Sequence, residues 1–204
     1  MPAVKAHTAR LASRLVDEAG RLLAAEGPAA LTLRRLASVS GTSTMAVYTL
    51  FGDKQGLLAA MHREGFTRLG GALEAVAAGS LEGLGDLGMA YRDVALANPH
   101  LYALMFGGAV PNFAPDAEGE ARAEAAYRPL VEAVQRCLDA SLLVGPGAEP
   151  IAFHLWAVSH GMVSLELAGH VPGDAAAREA SYRDALIYSV LPFLSPADGS
   201  RRAH

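Results

Sequence analysis

The side chains that could do chemistry in this chain are unevenly placed. Lys5, Arg10, Arg14, Arg21, Arg34, Arg35 and Lys54 fall within the first 54 residues, against only Asp17, Glu18, Glu26 and Asp53. The rest of the chain holds the remaining ten of 17 basic residues and 17 of 21 acidic ones. A basic end on an acidic body suits a protein that touches phosphates with one end only. Chance variation among solvated charges gives the same imbalance, so charge alone points to a partner without deciding one.

Groups suited to catalysis or metal binding are scattered. His62, His100, His154, His160 and His170 lack metal-ligand spacing such as HExxH, and no glycine-rich phosphate loop follows a strand. Ser159 and His160 are adjacent, and neighbours on a helix point different ways. Cys137 lies in an apolar stretch with no evident base. The expectation is a protein that is not an enzyme and needs no cofactor or metal. A lone cysteine excludes an internal disulfide and fits a reducing cytoplasm. Lys5, His7, Arg10 and Arg14 stand where a secretory leader would need an apolar run, so none is expected. The apolar stretches fall well short of the ~20 residues a spanning helix needs, so no membrane is expected either.

At 51% hydrophobic, 204 residues can bury a substantial core. The spacing of apolar residues is helical almost throughout. Leu11, Leu15, Ala19, Leu22 and Leu23 predict a first helix over 9–25, ended by Glu26-Gly27-Pro28. Thr32 is suited to cap a short second helix over 33–39, and Ser40-Gly41-Thr42 reads as a tight turn. Ser43 is suited to cap a third helix over 44–50. Gly52-Asp53 ends that helix and starts a fourth running toward residue 76. Further helices are predicted over 81–97, 99–106, 118–143, 151–167 and 175–194. Residues 107–116 read as a loop. Asn98 is the expected cap before Pro99, and Pro129 either kinks its helix or marks its start. The predicted fold is all-α with about nine helices, in three parts: a small head over 1–52, a larger helical body over 53–195, and a frayed tail over 196–204.

Three helices in the first fifty residues, the second and third short and joined by a glycine turn, meet the geometric needs of a helix-turn-helix. The third helix enters the major groove with its first turn facing base edges, while the second crosses the backbone. The stretch Leu31-Thr32-Leu33-Arg34-Arg35-Leu36-Ala37, then Ser40-Gly41-Thr42-Ser43, Val47-Tyr48-Thr49-Leu50-Phe51, Lys54 and Leu57-Leu58 resembles the TetR family of bacterial regulators. The resemblance implies that Thr32, Arg34, Thr42, Ser43, Thr44, Met45, Tyr48 and Lys54 lie at double-stranded DNA. Thr32, Tyr48 and Lys54 would touch phosphates, and Ser43, Thr44 and Met45 would lie nearest the bases. Leu36, Ala37, Val47, Phe51 and Leu57 would form the head's small core. The chain departs from the family in carrying Leu50 before the aromatic, where a polar residue or histidine is usual. One phosphate contact is then missing, and affinity leans on Arg34, Arg35 and the N-terminal cations.

Tyr91-Arg92, the run Asn98 to Gly107, Trp156, His160-Gly161 and Leu165 to Gly169 resemble the TetR-type C-terminal domain named for its Trp, His and Gly pattern. Phe66, Tyr91, Met105, Phe106, Phe113, Tyr127, Trp156 and His160 are candidates to line an apolar effector pocket. Each taken singly also fits ordinary core packing. Phe153, Val158, Met162, Leu186, Ile187 and Val190 leave the last two helices apolar on more than one face, which asks for a second partner. The resemblance implies a four-helix bundle with a second copy and a palindromic operator. The expected activity is that of a repressor released by a small apolar molecule. The alternative is a DNA-binding regulator controlled through its C-terminal domain by a protein partner. Lys54→Ala should weaken binding to all duplexes alike, while Thr44→Ala or Met45→Ala should change the preference among them. A titration against a duplex panel checks this, and the reverse pattern would exchange the two assignments.

Overall fold

The computed structural model describes residues 2–76, 79–107 and 110–196, so nearly all of the predicted tail lies outside the described residues. Nine α-helices occupy most of it: α1 (Pro2–Glu26), α2 (Leu33–Val39), α3 (Thr44–Phe51), α4 (Lys54–Glu74), α5 (Leu81–Ala97), α6 (Pro99–Met105), α7 (Ala117–Asp139), α8 (Ala148–Leu167) and α9 (Ala175–Val190). A 3-10 turn over Leu191–Phe193 follows the last. The all-α expectation holds. Among the described residues the only extended pairing is a single bridge between Leu143 and Leu194.

Local chemistry sets most of the boundaries. Gly27, at φ +79°, lets the chain leave α1 in a conformation that a Cβ disfavours. Thr32 Oγ1 accepts from Arg35 N at 3.1 Å, and Ser43 Oγ accepts from Ala46 N at 3.1 Å, each satisfying an orphan donor of its helix. Asp53, Asp116 and Asp174 cap α4, α7 and α9 in the same way, at 2.8, 2.8 and 2.9 Å. Pro129 proves to lie inside α7.

Five expectations need correction. α1 begins at Pro2, seven residues ahead of its predicted start, and α9 ends at Val190, where the chain tightens into the 3-10 turn. Asn98 makes no side-chain capping bond to α6; its Oδ1 accepts from Arg68 Nη1 at 2.6 Å instead. The helix predicted over 118–143 stops at Asp139, because Ser141 adopts φ +57° and Leu142 and Leu143 turn back to bond the Cys137 carbonyl. Val144 N then donates to Phe193 O, and Ser195 N to Leu142 O. α8 begins three residues early, at Ala148, with Pro150 in its first turn, where a missing N–H costs nothing.

The chain divides into two compact units, one of residues 1–69 with 97–126, the other of residues 70–96 with 127–204. In the first, Leu15, Val16, Ala19, Leu22, Leu31, Leu36, Val47, Leu57 and Met61 form a buried core that also takes Leu101 and Leu104 from α6. α6 approaches α1 at Gly20, where an added Cβ would lie 2.8 Å from His100 Cδ2. Arg68 of α4 reinforces this unit, bonding Asp17 of α1 at 2.8 Å and Glu64 at 2.9 Å as well as Asn98.

The second unit is built around a buried ion pair. Arg92 of α5 donates through Nε and Nη2 to the two oxygens of Glu166 in α8, at 2.8 and 2.7 Å, with side chains 6% and 8% exposed. Arg178 of α9 stands 3.5 Å from the same carboxylate, and the Arg92 guanidinium lies 5.7 Å from the Tyr182 ring centroid. Tyr182 is itself buried and donates its hydroxyl to Gly88 O at 2.9 Å. The Arg92 hydrogen bonds, with the charges of both arginines, hold the Glu166 carboxyl below the usual carboxylate range despite its burial. A carboxyl whose pKa is lower folded than unfolded stabilises the fold above the unfolded value, and that contribution is lost as pH falls toward the folded one. Glu166→Gln should therefore cost about 3–5 kcal/mol at neutral pH, leaving Arg92 buried and unpaired. The gap from the parent chain should shrink on the acid side. Urea unfolding across pH checks this, and a gap independent of pH would remove the ion pair from the account.

Candidate DNA-binding and sensor sites

α3 is short and two-sided. Val47 has no exposed surface, and Leu50 and Phe51 pack against the core beside it. Met45, Tyr48 and Thr49 face outward, with Thr44 half-buried one position earlier. Positions i and i+3 or i+4 share a helix face, so Thr44, Met45 and Tyr48 form one outward strip beginning at the first turn. Thr42 is half-buried in the turn and Ser43 exposed.

The cations are placed differently from one another. Arg34 is exposed on α2, next to the exposed cap Thr32. Arg35 Nη2 bonds Glu26 at 2.8 Å, and this hydrogen bond and charge raise its pKa. Lys54 Nζ donates to the Pro28 carbonyl, 26 residues back, and so ties the start of α4 to the loop between α1 and α2. An ammonium has three donors, so this bond leaves two for a phosphate.

The eight aromatic, sulfur and imidazole candidates for a pocket fall into two groups, one in each unit. In the first unit Phe66 stacks edge-on to Phe106 with centroids 5.6 Å apart, and Met105 closes against Gly65. Phe113 and Phe66 flank His62, at 5.8 and 4.9 Å. His62 is 4% exposed, and its Nδ1 has no hydrogen-bond partner among the described residues. Burial lowers its pKa, Asp116 opposing and Arg63 adding to the shift, which favours the neutral ring. In the second unit Tyr91 Oη lies 3.2 Å from His160 Nδ1, and Ser164 Oγ lies 3.5 Å from Nε2. Trp156 stands between His160 and Tyr127, with centroids 6.0 and 5.7 Å away. Burial lowers the His160 pKa and raises that of Tyr127, whose hydroxyl reaches the Glu149 carbonyl at 3.5 Å.

α8 and α9 pack on each other and still expose apolar side chains. Phe153 is 60% exposed, Ile187 55% and Tyr188 66%, and Leu165 and Leu191 are exposed as well. Val158, Met162, Leu186 and Val190 are half-buried. Leu186 closes over Gly88 of α5, where a Cβ would stand 2.6 Å from it.

Two family profiles match the chain. One, described as bacterial regulatory proteins of the tetR family, covers residues 15–61. The other, described as the tetracyclin repressor-like C-terminal domain, covers residues 84–187, just over half the chain. The chain belongs to the TetR family. Members of this family are DNA-binding transcription regulators and not enzymes, and typically act as dimers. Solved structures agree. SCO4313, described as a regulatory protein, is 25% identical with a TM-score of 0.75, over 92% of this chain and 98% of its own. The TetR-family regulator PfmR of Thermus thermophilus gives 19% and 0.71, over 87% and 97%. The fatty acid degradation regulator FadR of Bacillus halodurans gives 13% and 0.74, over 88% and 94%. At those identities the last two bear on fold alone. No curated protein matches the chain. No helix among the described residues is long and apolar enough to cross a membrane.

Just past this TetR head, sequence reasoning passed over Gly56. A Cβ there would collide with the Phe51 carbonyl oxygen, a backbone atom at the end of α3. Gly56 N meanwhile donates to Asp53 Oδ1. The join between recognition helix and α4 thus depends on a missing side chain, and the signal was a glycine three residues after an aspartate at a helix start. Gly56→Ala should lower stability by about 1–3 kcal/mol, as overpacking does, and weaken duplex binding. Gly71→Ala in the same helix, with nothing within 4 Å, should be neutral or stabilising. Thermal melts of the two variants decide it, and equal behaviour would dismiss the close approach.

Proposed function

We propose that this TetR-family protein is a repressor that holds a palindromic operator as a homodimer and releases it when a small apolar effector binds. The observation that carries the reading is the two-sidedness of α3: Val47 anchors it, while Met45 and Tyr48 stand exposed for a groove with half-buried Thr44 beside them. In this reading Thr32, Tyr48 and Lys54 meet phosphates, Ser43, Thr44 and Met45 lie nearest the bases, and Arg34 and Thr42 flank them at the duplex. The head corresponds to residues 1–52 and the sensing and dimerising part to residues 53–195.

The exposed apolar residues of α8 and α9 support an isologous interface, because the same strip would be covered on both copies. Phe153, Val158, Met162, Ile187 and Val190 contribute to it, and Leu186 backs it from the α5 side. Two heads then address half-sites about one helical turn apart, ~34–36 Å. The aromatic groups around Phe66 and Trp156 offer apolar surface to an effector, with His160 and Tyr91 as its polar contacts. By linkage, an effector that prefers a conformation with displaced heads weakens DNA binding by the factor through which DNA weakens its own binding, typically ~1–3 kcal/mol.

Selection of bound duplexes from random sequence, repeated with a panel of apolar small molecules, tests the reading directly. A palindromic consensus whose recovery falls with one class of molecule is the expected result. Recovery indifferent to every molecule, yet altered by a protein partner, would replace the effector with that partner. Ile187→Asp should give a monomer in sedimentation at micromolar concentration and bind the selected operator at least about tenfold more weakly, since both heads must engage. A variant that remains dimeric would move the interface elsewhere.

A further inference from the structure

We propose that Met45 reads thymine through its C5-methyl group, so that base recognition by α3 is apolar and depends on methyl contacts in each half-site. The inference rests on the DNA-binding reading above and adds what the recognition helix reads.

The argument begins with what α3 lacks. Its eight residues, Thr-Met-Ala-Val-Tyr-Thr-Leu-Phe, include no arginine, lysine, asparagine, glutamine, histidine or carboxylate. The paired donors and acceptors that distinguish guanine, adenine or cytosine in the major groove are therefore absent from the element that enters it. Its hydroxyls are partly spent within the protein. Thr49 Oγ1 donates to the Met45 carbonyl at 2.8 Å, and Ser43 Oγ accepts from Ala46 N. Thr44 is half-buried, and Tyr48 is placed one turn further along. Neither neighbouring arginine lies on α3: Arg34 and Arg35 belong to α2, and Arg35 is engaged by Glu26.

What α3 does present is Met45. It is 75% exposed, more than any other large hydrophobic side chain described, and sits in the first turn, the part of a recognition helix that faces base edges. The one apolar feature on a major-groove base edge is the thymine methyl. A thioether is unbranched and polarisable, so it can settle against that methyl without demanding a single rotamer. Covering the methyl removes its surface and that of Met45 from water together.

The test uses the full-length protein and the duplex selected above. Each thymine is replaced by deoxyuridine, which keeps every hydrogen-bonding group and lacks only the methyl carbon. The expected loss is about 4-fold for a contacted position in one half-site and about 15-fold when both symmetric positions are replaced. Met45→Ala should bind more weakly and be indifferent to deoxyuridine at those same positions. Because Met45 is exposed, its circular dichroism melt should match the parent's. Affinity unchanged by deoxyuridine at every thymine, in a duplex still bound tightly, overturns the proposal and leaves DNA binding standing. So does a Met45→Ala protein as sensitive to the substitution as the parent. Failure to select any duplex at low salt instead removes the DNA-binding reading beneath it.

Discussion

Val47 has no contact with solvent, and the presentation of the recognition helix depends on that burial. An eight-residue helix is too short to be stable alone, so its existence and its orientation come from the face that packs. With Val47 sealed against Leu36, Leu57 and their neighbours, and with Leu50 and Phe51 beside it, the opposite face is left to Met45, Tyr48 and Thr49. The caps work with this anchor. Ser43 starts the helix where the turn at Gly41 releases it, and Gly52 at φ +73° ends it before Asp53 begins the next. The result is a short rod held along one side and free along the other, which is what insertion into a groove requires.

The core beneath that rod does not belong to the first fifty residues alone. Leu101 and Leu104 of α6 have almost no exposed surface and lie in the same cluster as Leu36 and Val47. Gly20 admits His100 to the side of α1, and Arg68 joins α1, α4 and the residue before α6 through Asp17, Glu64 and Asn98. Any shift of α6 must therefore be accommodated by the core that positions α3, since close-packed side chains transmit displacement rather than absorb it. The segment that follows α6 leads to Phe113, which packs on the same cluster and faces His62. Within this one unit, aromatic surface and recognition helix share a continuous packing network.

Much of this was legible because it is local. Thr32, Ser43 and Asp53 announce helix starts by chemistry completed within three residues, and Gly27, Gly41 and Gly52 announce stops by a backbone conformation. The family likeness supplied Leu36, Ala37, Val47 and Leu57 as core, together with the sense of the outward face. The failures are contacts between distant residues. Nothing near Asn98 says that Arg68 will take its side chain, and nothing near Leu142 says that Phe193 and Ser195 will draw the chain out of α7. Nothing near Lys54, expected at a phosphate, says that its ammonium also reaches the Pro28 carbonyl. Residue type marks the pocket candidates, and type does not reveal that Phe66 and Trp156 gather different companions in different units.

The chemistry of the two faces of the head suggests how affinity and selectivity are divided. Charge lies off the recognition helix, on Arg34, Arg35 and Lys54, where it is suited to phosphates and blind to sequence. In the proposed reading selectivity is left to a helix of hydroxyl, aromatic and thioether groups, whose contacts with bases would be individually small. A protein built this way would gain little discrimination from any single base pair, and the proposed dimer would let it accumulate discrimination over two symmetric half-sites. That places weight on the apolar strip of α8 and α9: without a second copy, the modest discrimination of one α3 would have no partner with which to add. If the proposed dimer forms, the exposed Phe153, Ile187 and Tyr188 and the exposed Met45 answer the same need, one by joining two heads and the other by giving each head something to read.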